Sequence, residues 1–179
     1  MAIDESRRHF LTALLLPSLG VISGCGGPDL SGRTEEEPPH SSTEVQVAGP
    51  HASSQLISGW YNVERNSWRW TAGKFAVLLR PPIGSAAKGA ILSFHFTLPE
   101  VVISRLHSVT LSASIQGTRL APETYQKAGR ALYTRDVPAN LLSSTTVRVD
   151  FELNRVIVPG NGDNRELGVI ADRVGLESK

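Results

Sequence analysis

The chain of 179 residues is 40% hydrophobic and 20% charged, enough for one globular core together with segments that do not join it. Its formal net charge of +1, with acidic and basic residues interspersed, excludes the electrostatic footprint of a nucleic-acid binder. Cys25 is the sole cysteine, which excludes intramolecular disulfides and multi-cysteine metal sites.

The first element is an N-terminal export signal. Arg7 and Arg8 precede an apolar run from Phe10 to Ile22, shorter than the roughly 20 residues a permanent membrane helix needs and suited to the central region of a signal peptide. Ser6-Arg7-Arg8-His9-Phe10-Leu11 resembles the twin-arginine signal, with Thr12 where a lysine is usual. Ile22-Ser23-Gly24-Cys25 resembles a lipobox: a branched aliphatic, two small residues, then a cysteine whose thiol accepts a diacylglycerol before cleavage. By this resemblance to bacterial lipoproteins, residues 1–24 are a signal peptide and Cys25 carries the lipid. Palmitate-type chains on that cysteine imply a membrane partner, since two or three acyl chains anchor stably where one does not. Gly26 and Gly27 after the cysteine, with no aspartate there, imply delivery to an outer membrane, facing periplasm or surface.

From residue 25 to 55 the composition shifts to Gly, Pro, Ser, Thr, Glu and His, and the segment reads as a disordered tether. Val45-Gln46-Val47 is its one stretch with the alternation of a sheet-edge strand.

Residues 56–179 form the domain. Apolar residues recur there with period two in short runs, the mark of half-buried strands. Phe75–Leu79 stops at Pro81-Pro82 and Ala90–Leu98 at Pro99, because proline lacks the N–H a ladder requires. His107–Gln116 alternates through Val109, Leu111, Ala113 and Ile115; Val147, Val149, Phe151 and Leu153 alternate likewise. A turn at 159–163 leads to a last strand over Leu167–Leu176. With segments around Trp60, Trp68 and Leu132, seven or eight strands predict an all-β, two-sheet antiparallel sandwich, jelly-roll-like. Helix is confined to single turns at Pro138–Leu142 and near Pro122.

Two patches carry a second resemblance. Gly59-Trp60-Tyr61-Asn62-Val63-Glu64 with Trp68-Arg69-Trp70-Thr71, and the late Asp163-Asn164-Arg165-Glu166-Leu167-Gly168-Val169, are similar to the paired signatures of galactose-binding-like β-sandwich domains of envelope and polysaccharide-related proteins. The similarity spans 56–176 and implies a sandwich that binds carbohydrate and carries no chemistry.

The residues themselves define a candidate ligand site of Trp60, Trp68, Arg69, Trp70, Asp163 and Arg165. All three tryptophans fall within eleven residues, and indole faces stack on sugar rings while charged neighbours bind hydroxyls. Against this, tryptophans dominate small cores, so two of the three are expected inside, leaving one as a platform. Likewise Glu64, Arg69, Asp163 and Arg165 read first as an ion network pinning the first and last strands, and second as ligand contacts.

Catalytic constellations are absent from the sequence: no nucleophile elbow, His-Glu-x-x-His or phosphate loop. Ser85-Ala86-Ala87-Lys88 has the Ser-x-x-Lys spacing of penicillin-recognising enzymes but is expected in a loop, without companion motifs. His95 and His107 have no ligand spacing, so no metal is expected; the 161–164 turn has oxygens for calcium but reads as a turn. No cofactor is implied. Two function classes follow: a lipid-anchored, non-enzymatic binding module for glycan, or a structural lipoprotein that contacts another envelope protein.

Overall fold

The computed structural model describes residues 41–160 and 162–179. The expected signal peptide 1–24 with Arg7 and Arg8, the expected lipidation position Cys25, the first part of the expected tether, and Asn161 lie outside the described residues.

Ten strands follow in order: β1 (Glu44–Gln46), β2 (Leu56–Glu64), β3 (Trp68–Leu79), β4 (Ala90–Leu98), β5 (Val109–Ile115), β6 (Thr118–Arg119), β7 (Glu123–Tyr125), β8 (Gly129–Val137), β9 (Val147–Leu153) and β10 (Ile170–Ser178). Two short α-helices interrupt them, α1 (Ser85–Lys88) and α2 (Glu100–Leu106), together with 3-10 turns at Ala52–Ser54 and Ala139–Leu141, the second within the turn expected at Pro138–Leu142. Every strand pairing is antiparallel.

The strands form a two-sheet sandwich because β3 serves both leaves. Lys74–Leu79 of β3 pair with Glu152–Val147 of β9, whereas Trp70 and Arg69 pair with Ile170 and Ala171 of β10. From that fork one leaf runs β10-β4-β8, with β1 added to β10. The other runs through β9 and β5 to β6 and β7, with β2 on the far side of β3. Their inner faces meet in a ring cluster: Phe94 of β4 lies 5.5 Å from Phe75 of β3 and 5.1 Å from Phe151 of β9, centroid to centroid. Leucines, valines and isoleucines from alternate positions of β4, β5 and β9 complete the core.

Local sequence explains the corners. Pro99 ends β4 and opens α2, and Pro138 ends β8. Arg65 and Asn66 both have positive φ, 49° and 54°, in the three-residue turn 65–67 that closes the β2–β3 hairpin, and the Ser67 N–H donates to the Glu64 carbonyl at 3.1 Å. Gly59 sits at φ 75° in the irregular β2, where a Cβ would collide with the Lys74 carbonyl and Phe75, so only glycine lets β2 lie this close to β3.

Three sequence expectations are corrected. The tether does not extend to residue 55, because 41–55 belong to the domain. Glu44–Gln46 pair with Gly175–Arg173, Val45 and Val47 are 3% and 0% exposed, and the Gln55 amide donates to the Ser42 and Leu78 carbonyls at 3.1 and 2.7 Å. Two valines suffice to seat a three-residue strand that a composition average conceals. The Ser85–Lys88 segment is one helical turn, not a loop, and Ser85 is buried there. The segment after Pro122 is the extended β7, while the longer helix is α2, whose β-branched Val-Val-Ile run carries no helical signature and which packs through Val102.

Candidate functional site

The β2–β3 hairpin disperses the three tryptophans. Trp60 turns between the leaves, edge-on to Phe75 at 5.0 Å and Phe94 at 6.4 Å, and its indole N–H donates to the Ala76 carbonyl at 2.7 Å. Trp68 and Trp70 lie on the strand face opposite Thr71 and Phe75, which point inward. Trp70 packs against the core rim, and Trp68 carries the Arg65 guanidinium 5.6 Å from its ring centre. The Trp68 indole N–H is buried without a hydrogen-bond partner among the described residues.

The structure brings Glu64, Asp163 and Arg165 together but not Arg69. Arg165 donates to Glu64 at 2.8 Å and to Asp163 at 2.9 and 3.0 Å, with its guanidinium 5.3 Å from the Tyr61 ring centre. Hydrogen bonds from the Arg165 side chain and backbone N–H hold the Asp163 carboxyl below the usual carboxylate range. The same partners, Asp163 first and Glu64 second, push the Arg165 guanidinium further up. Arg69 instead donates to the carbonyls of Val47 at 2.7 Å and Tyr61 at 2.9 Å, so it fastens backbone and is no member of the ion network. Its neighbours on the inward side of β3 offer carbonyls where a carboxylate was expected.

The late motif docks its segment onto β3. Glu166 accepts from the Gly73 N–H at 2.6 Å, and the N–H groups of Gly168 and Val169 donate to the Thr71 carbonyl and hydroxyl. A Cβ on Gly168 would strike Leu153, Thr71 and Ala72, which explains the glycine.

Beside this docked segment is a cleft of about 180 Å³ between β3, α2 and residues 157–160 and 163–167. Trp70, Ile157 and Leu167 line it, Val101 and Val158 stand exposed in its lining at 45% and 71%, and Arg105, Asp163 and Arg165 supply the charge. Three of the six sequence candidates, Trp70, Asp163 and Arg165, thus share one concavity. Val101 and Arg105 carry no signal in the sequence, because the β-branched run of α2 has none of a helix. A second groove of about 230 Å³ crosses β5, β9 and β3, lined by Ser112 and Ser114 and by the ion pairs Lys74–Glu152, Arg119–Glu152 and Arg148–Asp150 at 3.2, 3.7 and 2.8 Å. These residues carry no motif in the sequence: those of β3, β5 and β9 are ordinary outward positions of alternating strands, and Arg119 lies in the two-residue β6.

Among the described residues, no three His, Cys, Asp or Glu side chains converge as metal ligands would. His95 contacts the Arg173 guanidinium at 2.9 Å, and His107 ends α2.

The chain matches no family model and no curated protein sequence. Several solved structures are similar to it, three of them as follows. An acetyl xylan esterase from the rumen bacterium Butyrivibrio proteoclasticus aligns over 78% of this chain at 9% identity and TM-score 0.44; the chain spans only 34% of that enzyme's length. A carbohydrate-binding-module domain of a multidomain xylanase from the hindgut metagenome of Trinervitermes trinervoides aligns at 12% identity and TM-score 0.39, covering 74% of this chain and 95% of that one. A mannan-recognising carbohydrate-binding module aligns at 12% identity and TM-score 0.44, covering 76% and 95%.

Proposed function

We propose that this chain is an exported, lipid-anchored binding protein of the bacterial cell envelope, non-catalytic, which holds carbohydrate in the Trp70–Asp163–Arg165 cleft. The observation that carries this reading is the meeting of an indole wall with a fixed carboxylate–guanidinium pair in one concavity. The apolar face of a pyranose needs the first, and its hydroxyls need the second. Asp163 and Arg165 are held by each other and by Glu64, so they present hydrogen-bonding groups without a reorganisation cost on binding. The same mutual neutralisation argues against a general acid or base there. The cleft suits about one sugar ring, for which a Kd on the order of 1 mM is expected, about −4 kcal/mol.

Tryptophan fluorescence of the full chain, titrated with envelope and extracellular polysaccharides, tests the site. A saturable shift that Trp70→Ala abolishes while the protein stays folded supports it. No shift with any glycan removes the sugar reading and leaves a lipoprotein that contacts another envelope protein, for which exposed Val101 and Val158 are the first surface to examine.

Anchoring rests on the paired Arg7 and Arg8, the apolar run and the Ile22-Ser23-Gly24-Cys25 motif. Incorporation of labelled palmitate that Cys25→Ser eliminates, and export that Arg7→Lys with Arg8→Lys blocks, are the expected outcomes. Unlabelled, membrane-free wild-type protein contradicts the anchor.

A further inference from the structure

We propose that the cleft selects carbohydrate bearing a carboxylate, uronic-acid units above all, and that Arg105 is the residue that reads the acid. This rests on the cleft being the sugar site.

The charges in the cleft are unequally committed. Arg165 commits three of its N–H donors to Asp163 and Glu64, which fixes its guanidinium as part of the wall and leaves the others for hydroxyls. Arg105, on the last turn of α2, is exposed in the same lining and has no ion pair and no side-chain hydrogen bond among the described residues. The lining therefore holds two guanidiniums and one carboxylate, Asp163, which Arg165 already occupies; Glu64 meets Arg165 from outside the lining. Next to Arg105, the Arg155 guanidinium donates to the Leu106 carbonyl at 3.3 Å, placing a second cation at the same end of α2. A neutral sugar leaves the Arg105 fork to water. A carboxylate on the ring accepts it bidentately, a geometry that guanidinium matches and ammonium does not. Trp70, Val101 and Val158 provide apolar surface for the C–H face of the same ring.

The experiment compares oligogalacturonate with a neutral galactan oligomer of equal length, titrated against the full chain by tryptophan fluorescence at about 0.02 M and about 0.2 M salt. The acidic oligomer is expected to bind about fivefold more tightly at the lower salt, with the preference shrinking at the higher. Arg105→Gln is expected to remove the preference, and Arg105→Lys to restore part of it. Equal affinities in the wild type, or a preference that survives Arg105→Gln, overturn the selection while leaving the sugar site standing. Binding of neither oligomer overturns both.

Discussion

Arg165 reaches Glu64 at 2.8 Å across 101 positions of sequence, so one guanidinium ties the segment before the last strand to the end of β2. The same guanidinium holds Asp163 on its other side and lies over Tyr61, which makes it the joint between hairpin and cleft. Arg165→Ala leaves two carboxylates side by side without a counter-charge. Because all three side chains are about a third exposed, the expected cost is modest, a fall in Tm of about 3 °C. Glycan affinity is expected to fall more than stability does, which thermal unfolding and fluorescence titration together would register.

Asp163 predicts how that joint responds to acid. Its carboxyl titrates below the usual range in the folded chain, so its contribution is fully present above the unfolded value of about 3.9 and is lost as pH falls through the lower folded one. The Tm difference between wild type and Asp163→Asn is therefore expected to be constant above about pH 5 and to shrink in more acid solution. A difference that grows on acidification would contradict the assignment.

Trp60 and Trp70 were indistinguishable in the sequence, and their fates should differ on mutation. Trp60 sits between Phe75 and Phe94 with its N–H bonded, so Trp60→Ala is expected to cost about 3 kcal/mol by loss of packing and opening of a cavity. Trp60→Phe keeps a ring there and forfeits mainly the hydrogen bond, about 1 kcal/mol. Denaturant unfolding measures both, and neither change is expected to alter glycan binding in protein that remains folded.

What sequence made legible follows from how many residues carry each signal. β4 ends where Pro99 implies, and β5 and β9 follow their alternation, because seven to nine residues repeat a period of two. β1 and β7 have three residues each, too few to repeat anything, and their places come from partners: Val45 from β10, Tyr125 from β5. α2 was hidden by Val101, Val102 and Ile103, residues that favour strands, until Pro99 and the chain's reversal decided otherwise. The site was half legible for the same reason. Trp70, Asp163 and Arg165 lie in dense motifs, whereas Arg105 acquires its place only from a helix that no period announced.

The tyrosines extend the pH argument to alkali. Burial pushes the Tyr133 phenol above its ordinary value, and burial with the neighbouring Glu123 carboxylate pushes Tyr125 up strongly. The folded state favours the neutral phenols, so the stability linked to them is complete below about pH 10 and is lost as pH rises through the folded values. Absorbance titration is expected to show these two phenolates forming only above the ordinary range, together with unfolding. Tyr133→Phe, which removes the 2.8 Å bond to the Ala121 carbonyl, is expected to cost about 1 kcal/mol.

Arg69 is the residue whose sequence-based role changed most, and it sets the boundary of the domain. Its Nε and Nη1 groups bond the carbonyls of Val47 and Tyr61, so one side chain holds the segment after β1 against β2. Charge-assisted bonds to carbonyls are worth about 1.5–3 kcal/mol each at most, and Arg69→Gln is expected to lose about 2 kcal/mol in all. The loss should be local first: hydrogen exchange of the Val47 N–H, which donates to the Asp172 carbonyl at 3.0 Å, is expected to accelerate well before that of the β4 and β9 core. A chain begun at Leu56 lacks Val45, Val47 and the Gln55 amide altogether. It uncovers one side of β10 and is expected to be several kcal/mol less stable than one begun at Ser41. If the two chains unfold at the same denaturant concentration, 41–55 is a tether after all and Arg69 merely rests on it.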